Sequence, residues 1–310
     1  MLAAFDEEGK LVNLAEAVPR KQHFTCPACG EAVRLRHGSV MRPHFAHISL
    51  QNCRFYSENE SAEHLGLKAE LYKSFSAFSL VEVEKLLPEL GQIADLMVNE
   101  KLALEVQCSR LSKERLHERT QAYLEHGCQV RWLLGEKLWL DRTLTSLQRD
   151  LLYFSANMGF HLWELDLDRR CLRLKYLIYE DWHGHVHYLV KECPFDDNLL
   201  TFLRLPFIKQ KMASYYVKMD QQLLTYIQRQ LAGRNPHWLK RQEAAYLKGT
   251  NLLSLDVAAF YPQVRPLESE TGFCQITQDL SNFYTAFFQY YRSQENKSIQ
   301  RLYPPAFYEK

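Results

Sequence analysis

The stretch from residue 92 to 107, Q-I-A-D-L-M-V-N-E-K-L-A-L-E-V-Q, constrains the fold of this chain more than any other. Two apolar runs flank the polar segment Asn99-Glu100-Lys101, a pattern typical of a β-hairpin. If this turn has three residues, antiparallel pairing places Asp95 directly across from Glu105. A two-residue turn would instead place Asp95 opposite Leu104. The three-residue register brings together two carboxylates that repel each other, and folding alone does not require them.

A divalent cation bound between the two carboxylates would remove this repulsion. Gln107 lies two residues after Glu105 and therefore projects from the same face of the strand. Carboxylate and amide oxygens are the hard ligands that Mg²⁺ and Mn²⁺ prefer. We therefore predict a catalytic metal site formed by Asp95, Glu105 and Gln107.

A helix before the hairpin brings further candidates. Residues 57–76 have apolar side chains at helical spacing, and Ser61 is a suitable N-cap. Glu63, His64 and Lys68 fall in one polar sector of this helix. For any one of these residues, a solvated helix face is the simpler interpretation. The cluster becomes a candidate for the active site because the hairpin with Asp95 and Glu105 follows it.

The segments on either side of the hairpin predict a mixed sheet. Residues 79–86 alternate as a strand and place Glu84 on the same face as Glu82. Residues 113–126 predict a helix, and the apolar run 129–134 predicts a strand. A helix between two apolar strands predicts a parallel crossover onto the sheet of the hairpin.

Cys26-x₂-Cys29 followed by glycine predicts a zinc knuckle, because this tight turn lets two thiolates bind one tetrahedral ion. We predict a structural Zn²⁺ bound by Cys26, Cys29, His47 and Cys53, with His44 as the alternative to His47. A Cys-Pro-x-Cys redox pair or simply packed thiols are the competing interpretations. A redox pair should open a helix, whereas a glycine and a basic run follow here.

The C-terminal half is expected to combine strands with helices. Residues 141–158 predict a helix, residues 160–190 alternate as an antiparallel meander, and helical patterns begin at residue 199. Residues 303–308 predict an extended tail. Basic and aromatic residues interleave in this half, which suits single-stranded nucleic acid, although core aromatics and solvated lysines give the same pattern. The candidate nucleic-acid contacts along the chain are His64, Arg115, Arg119, Tyr123, Lys209, Lys211, Lys218, Arg234, Lys240 and Arg241.

Composition describes an ordinary globular protein, with 310 residues, 46% hydrophobic and 24% charged. The chain has no apolar stretch of roughly twenty residues and no signal-like start, so we expect no membrane partner. Eight cysteines without a signal favour a reducing, cytoplasmic setting with thiols or metal. The net charge is only +1, but Lys and Arg concentrate in residues 20–54 and 204–248, which favours contact with a polyanion.

Three stretches resemble the competence protein CoiA family: C-P-A-C-G with H-F-A-H, S-A-E-H-L-G-L-K, and A-D-L…L-E-V-Q-C-S with R-T-Q-A-Y and W-L-L-G. The order of elements, with nine residues between Asp95 and Glu105-x-Gln107, also resembles the core of the PD-(D/E)xK nuclease superfamily. The resemblance covers roughly residues 1–135. The organisation we expect is α/β (α+β overall), with a zinc-finger-like module over 1–56, a restriction-endonuclease-like core of mixed sheet flanked by helices over 57–158, and a mostly helical C-terminal domain over 159–310 that begins with a β-meander.

The resemblance implies a hydrolase: a DNA nuclease dependent on Mg²⁺ or Mn²⁺ that processes incoming single-stranded or branched DNA for recombination during transformation. Gln107 stands where the superfamily pattern has a lysine, and glutamine cannot act as an acid or base. Lys68 could supply the missing ammonium, and Glu63 or Glu84 a further carboxylate. Two alternatives stay open: an inactive nuclease fold that binds DNA beside recombination proteins, and a zinc-containing protein adaptor.

Overall fold

The computed structural model describes residues 1–20, 22–38, 42–49, 53 and 60–309. Within these ranges the chain forms a five-stranded sheet, a mixed nine-stranded sheet and a two-stranded ribbon. Of the features predicted above, residues 57–59 at the start of the helix and residues 21, 39–41, 50–52 and 54 of the basic segment 20–54 lie outside the described residues. No described helix is long and apolar enough to cross a membrane.

The N-terminal sheet is antiparallel, with strand order β2-β1-β3-β4-β5. Its small core includes Phe24 and Phe45, whose ring centroids lie 4.8 Å apart. Its strands are β1 (Ala3–Phe5), β2 (Leu11–Asn13), β3 (Phe24–Thr25), β4 (Ala32–Arg36) and β5 (His44–His47).

The central elements follow the predicted order of helix, three strands, helix and strand. They are α1 (Ala62–Ser76), β6 (Val81–Leu87), β7 (Gln92–Val98), β8 (Leu102–Gln107), α2 (Lys113–Glu125) and β9 (Gln129–Leu134). The hydroxyl of Ser61 accepts the backbone N–H of His64, which confirms the predicted cap of α1. Strands β8 and β9 pair in parallel, which confirms the crossover through α2.

The connection between β7 and β8 has the predicted length of three residues, because Val98 pairs with Leu102. Asn99 and Glu100 have φ values of 50° and 59°, in the left-handed region that such tight turns require. The backbone N–H of Lys101 donates to the carbonyl of Val98 at 3.2 Å and closes the turn. This turn sets the register of the hairpin.

The prediction of one helix over residues 141–158 is wrong. A capping box at Thr145 and Gln148 starts only the short α3 (Ser146–Asp150), and the chain then enters β10 (Tyr153–Ser155). Tyr153 is buried, and its hydroxyl accepts the backbone N–H of Trp132, so packing against the sheet overrides the helical pattern.

The predicted meander is confirmed as β11 (Gly159–Asp166), β12 (Cys171–Asp181) and β13 (Val186–Pro194). It joins the central sheet, because β11 pairs in parallel with β9. The full strand order is β13-β12-β11-β9-β8-β7-β6, with β10 beside β11. The predicted boundary at residue 159 therefore falls within a continuous sheet, and separate folding of residues 159–310 stays a prediction.

The remaining elements mix helices with short strands. They are α4 (Leu199–Leu203), β14 (Tyr215–Lys218), α5 (Leu223–Ala232), α6 (Pro236–Leu247), β15 (Val264–Arg265), α7 (Ser281–Arg292), β16 (Ile299–Leu302) and α8 (Pro305–Tyr308). Strand β15 pairs with β12, and β14 pairs with β16 as a separate ribbon. The predicted extended tail is wrong: the rings of Tyr303 and Phe307 stack at 3.8 Å, and Tyr308 is buried.

Candidate active site and metal centre

Three acidic residues lie at one level of the neighbouring strands β6, β7 and β8. The pairs on both sides of Glu84 place it opposite Asp95. The pairing of β7 with β8 runs as far as Leu96 and Leu104, one position before Asp95 and Glu105. The hairpin register predicted from the sequence is thus confirmed. All three carboxylates line one cleft of about 490 Å³.

Asp95 is held by groups from two elements. Its Oδ2 accepts the backbone N–H of Val106 at 2.9 Å and lies 3.1 Å from Nε2 of His64. Its Oδ1 lies 3.6 Å from the ammonium of Lys68. Burial alone would raise the pKa of Asp95, but His64 and Lys68 hold this pKa well below its ordinary value. Asp95 is therefore a carboxylate at neutral pH.

Lys68 reaches from α1 into the carboxylate cluster, as predicted. Its side chain is 1% exposed, and Nζ lies 2.6 Å from Oε1 of Glu84 and contacts Glu60. Burial alone would lower the pKa of Lys68, but the carboxylates of Glu60, Glu84 and Asp95 raise it well above the ordinary value. Lys68 is therefore an ammonium ion that neutralises the cluster, and it is not a proton acceptor at neutral pH.

Glu84 is oriented by the N-terminal sheet. Its two carboxylate oxygens accept the backbone N–H groups of Leu2 at 2.8 Å and Ala3 at 3.0 Å. Its own φ is 51°, a left-handed conformation that costs a side chain of this kind on the order of 1 kcal/mol. The two sheets thus meet at a carboxylate of the cleft.

Glu105 is buried, with 2% of its surface exposed. Two side chains of α2 bind one oxygen of its carboxylate. Arg119 lies 2.7 Å from Oε1, and the hydroxyl of Tyr123 donates to the same oxygen. Burial raises the pKa of Glu105 to about 7, and Arg119 acts against this rise.

This arrangement corrects two predicted nucleic-acid contacts. Tyr123 is fully buried, so its ring cannot stack on a base, and Arg119 is engaged by Glu105 and by the carbonyl of Ile93 at 3.1 Å. Both side chains orient Glu105. Arg115, predicted for the same role, is exposed and lines the cleft.

Glu60 is a member of the cluster that the sequence did not reveal. Ligand atoms of Glu60, His64 and Asp95 all lie within 4.8 Å of one another, so this group could hold a metal ion. Burial would raise the pKa of Glu60, but Lys68 lowers it to about 2. The available signal is the Glu60-x₃-His64 spacing, one helical turn, just before the cap of α1. His64, predicted as a nucleic-acid contact, faces these carboxylates.

The structure places Gln107 in the cleft and Glu63 outside it. Gln107 lines the cleft, and its Nε2 donates to the carbonyl of Ser109 at 2.8 Å. Glu63 instead accepts the backbone N–H of Glu136 at 2.7 Å and packs against Gly135, where an added Cβ would meet its Oε1 at 2.6 Å. Glu63 therefore supports the loop after β9, and its prediction as a further active-site carboxylate is not supported by its position.

A second group of ligands lies along the same cleft. Atoms of Cys26, Cys29, His47 and Cys53 lie within 4.8 Å of one another and could hold a metal ion. Sγ of Cys29 is 3.4 Å from Nε2 of His47. His44, the alternative ligand, instead places Nδ1 2.9 Å from a backbone carbonyl. The geometry thus selects His47.

The predicted basic contacts of the C-terminal half divide into two sets. Lys240 is exposed and pairs with Glu270 at 2.9 Å. Arg241 is half-buried, with its guanidinium 4.5 Å and 5.5 Å from the ring centroids of Trp182 and Trp238. Arg241 is thus a packing residue, which corrects its predicted contact with nucleic acid. Lys209, Lys211, Lys218 and Arg234 are exposed like Lys240 and remain candidate contacts.

Together these features define a mixed α/β protein in which a carboxylate-lined cleft meets a Cys/His cluster. The family model for the nuclease-like domain of competence protein CoiA matches residues 60–186, and the model for the CoiA N-terminal domain matches residues 10–56. The chain belongs to the competence protein CoiA family.

Competence protein CoiA of Bacillus subtilis (strain 168) is 32% identical to this chain over 133 residues, which are 41% of this chain and 35% of the relative. The matched part thus spans about a third of the length of that relative. No solved structure matches the chain.

Proposed function

We propose that this protein is a metal-dependent DNA nuclease of the PD-(D/E)xK type. In this proposal it acts in the cytoplasm and hydrolyses phosphodiesters of incoming single-stranded or branched DNA for recombination during natural competence. The observation that carries the proposal is the alignment of Glu84, Asp95 and Glu105 across three neighbouring strands, with the ammonium of Lys68 beside them. A folded domain has no structural need for such a concentration of acids in one cleft.

The donor set fits Mg²⁺ or Mn²⁺. Four carboxyl groups, those of Glu60, Glu84, Asp95 and Glu105, lie in the cleft against three cationic groups: the ammonium of Lys68, the N-terminal ammonium of Met1, which contacts Glu60, and the guanidinium of Arg119. Asp95, Glu105 and the amide oxygen of Gln107 are the ligands we propose, with Glu60 and His64 as further donors. When bound, the ion polarises the scissile phosphate and lowers the pKa of a bound water.

The groups around the carboxylates orient these ligands and neutralise negative charge. The Val106 N–H orients Asp95, whereas Arg119 and Tyr123 hold Oε1 of Glu105 and leave Oε2 as the oxygen for the cation. Lys68, which is protonated, stabilises the negative charge that develops on the phosphate and replaces the lysine absent at Gln107. Proton removal from the attacking water thus falls to a carboxylate or to solvent.

The Cys/His group has the composition of a closed structural zinc site. Three thiolates and one imidazole supply four soft or borderline ligands, which suits Zn²⁺ in tetrahedral coordination and leaves no position for substrate. In this proposal Zn²⁺ holds the N-terminal sheet, whose amides orient Glu84.

One observation favours an alternative function. The Lys68 ammonium already contacts Glu60, Glu84 and Asp95, and Gln107 lacks a charge, so the cluster is partly neutralised without a metal ion. Such a site suits a nuclease fold that binds DNA for recombination proteins without cutting it. A protein adaptor held together by zinc is the third candidate.

Labelled single-stranded, duplex and branched DNA, incubated with the protein in Mg²⁺ or Mn²⁺, separates these functions. We expect cleavage by the wild type and at least a hundredfold slower cleavage by Asp95→Asn and Glu105→Gln. Cleavage should be unchanged in the control Glu125→Gln, at an exposed glutamate of α2 that accepts a hydrogen bond from Gln121. Binding without cleavage under all conditions would refute the nuclease and favour the accessory protein. Absence of DNA binding would favour the adaptor.

A further inference from the structure

The two-stranded ribbon of β14 and β16 has one exposed face. In sequence, both strands lie well after the residues that line the cleft. Tyr216 pairs with Arg301, and Lys218 pairs with Ile299. These four residues are exposed, and Tyr216 is 65% exposed, whereas the residues between them are buried or half-buried. Since alternate residues of a strand point to opposite faces, all four side chains share the outer face.

The inner face of the ribbon is anchored to the central sheet. The hydroxyl of Tyr215 lies 2.8 Å from the carbonyl of Leu177 and 2.9 Å from that of His187. The buried amide of Gln300 exchanges two hydrogen bonds with the backbone of Val264, at 3.0 Å and 2.5 Å. These bonds hold the ribbon, so its outer face is a preorganised surface.

Planar groups are aligned on this outer face. The guanidinium of Arg301 lies 5.0 Å from the ring centroids of both Tyr216 and Tyr303. Its Nε and one terminal nitrogen bond Oγ of Ser214 at 3.0 Å and 2.9 Å, which fixes its orientation. An exposed tyrosine ring beside a fixed guanidinium offers a stacking surface for a planar ligand.

The chain segments that form and flank the ribbon carry a net positive charge, and one acid from elsewhere in the chain, Asp141, lines the same surface pocket as Tyr216 and Lys218. Residues 208–220 and 294–302 contain five cations and two acids. One acid, Asp220, lies 2.9 Å from His183, and the other is Glu295. The cations are Lys209, Lys211, Lys218, Lys297 and Arg301, all exposed.

We propose that this outer face binds single-stranded nucleic acid, with a base stacked on Tyr216 beside Arg301 and backbone phosphates on Lys218 and the flanking lysines. Aromatic rings that stack on bases, next to cations that follow the backbone, are the means by which proteins bind single strands. A duplex keeps its bases stacked inside and cannot use the ring. The site lies outside the cleft, so it does not depend on cleavage there.

Fluorescence anisotropy with a labelled oligothymidylate tests this proposal in full-length protein that carries Asp95→Asn, so that cleavage cannot contribute. We expect Tyr216→Ala to weaken binding five- to a hundredfold and Tyr216→Phe, which keeps the ring, to bind within twofold of the parent. Lys218→Gln should make the slope of log affinity against log salt concentration less steep by roughly 0.7, the value for one lost phosphate contact with a single strand. Tyr246→Ala, at a tyrosine of α6 that is 61% exposed, is the matched control and should change nothing.

Thermal unfolding of each variant shows that the fold is kept. Binding by Tyr216→Ala within twofold of the parent would overturn the proposal, as would an equal loss in Tyr246→Ala. An equal loss of duplex binding in Tyr216→Ala would overturn the assignment to single strands. A failure of the nuclease proposal would appear instead as absent cleavage with oligothymidylate binding intact.

Discussion

Replacing Lys68 with methionine isolates the effect of a buried cation on the carboxylate cluster. Methionine keeps most of the length and apolar volume of the lysine but removes its charge. Glu84 and Asp95 then lose the ammonium beside them, and Glu60 keeps the N-terminal ammonium of Met1. We expect the variant to lose stability and cleavage, and to bind divalent metal more tightly than the wild type.

The magnitude follows from the distances. At the effective dielectric constant of about 20 that suits protein sites, attractions at 2.6 Å and 3.6 Å amount to roughly 6 and 5 kcal/mol. Desolvation of the buried ions offsets much of this gain, and removing one partner of a buried ion pair costs about 3–5 kcal/mol. We therefore expect Lys68→Met to lower the free energy of unfolding by about 3–5 kcal/mol without divalent metal.

The assay is denaturant-induced unfolding with and without Mn²⁺, together with cleavage of labelled DNA. Mn²⁺ should recover more stability in Lys68→Met than in the wild type, because the ion replaces the missing charge. The control is Lys85→Met. Lys85 also pairs with a glutamate at 2.6 Å, but both side chains are over a third exposed, so we expect a change below about 1 kcal/mol.

Two results would refute this reasoning. Equal stability of Lys68→Met and Lys85→Met without Mn²⁺ would mean that the ammonium does not hold the cluster together. Cleavage by Lys68→Met at the rate of the wild type would mean that the ammonium plays no part in the chemistry.

Three further predictions concern other parts of the chain. Cys29→Ser should release the zinc that we propose for the N-terminal sheet. Elemental analysis of the purified protein measures its zinc content, and a content equal to that of the wild type would contradict the assignment. Burial lowers the pKa of His161 from 6.5 to about 4, so protonation favours the unfolded chain and stability falls as the pH drops from 6.5 toward 4. Denaturant unfolding at pH 7 and at pH 4.5 should show that the wild type loses about 2 kcal/mol more stability than His161→Gln over this range. The exposed His126→Gln is the control and should behave as the wild type, and equal losses in all three proteins would refute the prediction. Tyr123→Phe removes a buried hydrogen bond to Glu105 and should cost about 1–2 kcal/mol of stability in the same assay, and no change would contradict that role.

The hairpin and the Lys68 contact could be predicted because both follow from local geometry. The turn at 99–101 fixes which residues face each other across two strands, and helical spacing fixes which side of α1 carries Lys68. The Cys26-x₂-Cys29 spacing similarly predicted a cluster that the structure assembles. His44 and His47 lie three residues apart in β5 and point to opposite faces of that strand, and the spacing alone does not determine which face carries the cysteines.

Other parts of the site depend on contacts between distant segments. Arg119 and Tyr123 lie one helical turn apart and looked like exposed basic and aromatic contacts, but packing of α2 turns both toward Glu105. The amides of Leu2 and Ala3 reach Glu84 across more than eighty residues. No local pattern predicts such contacts.

Strand pairing explains the errors in the C-terminal half. Residues 153–155 carry a helical pattern but pair with the first residues of β11 in the central sheet. The ribbon strands β14 and β16 are each four residues long and lie about eighty residues apart, so neither stood out beside the helical segments between them. Tertiary pairing overrides weak local preference in both cases.

Cleavage and metal binding, measured in the same preparations, test the central claim most directly. Wild type and Asp95→Asn are compared for bound Mn²⁺ and for the rate at which each cuts labelled single-stranded DNA. The proposed nuclease predicts that the wild type binds Mn²⁺ and cuts, and that Asp95→Asn loses both while it still binds DNA. Equal cutting by the two proteins, or Mn²⁺ binding by the wild type without any cutting, would contradict the claim.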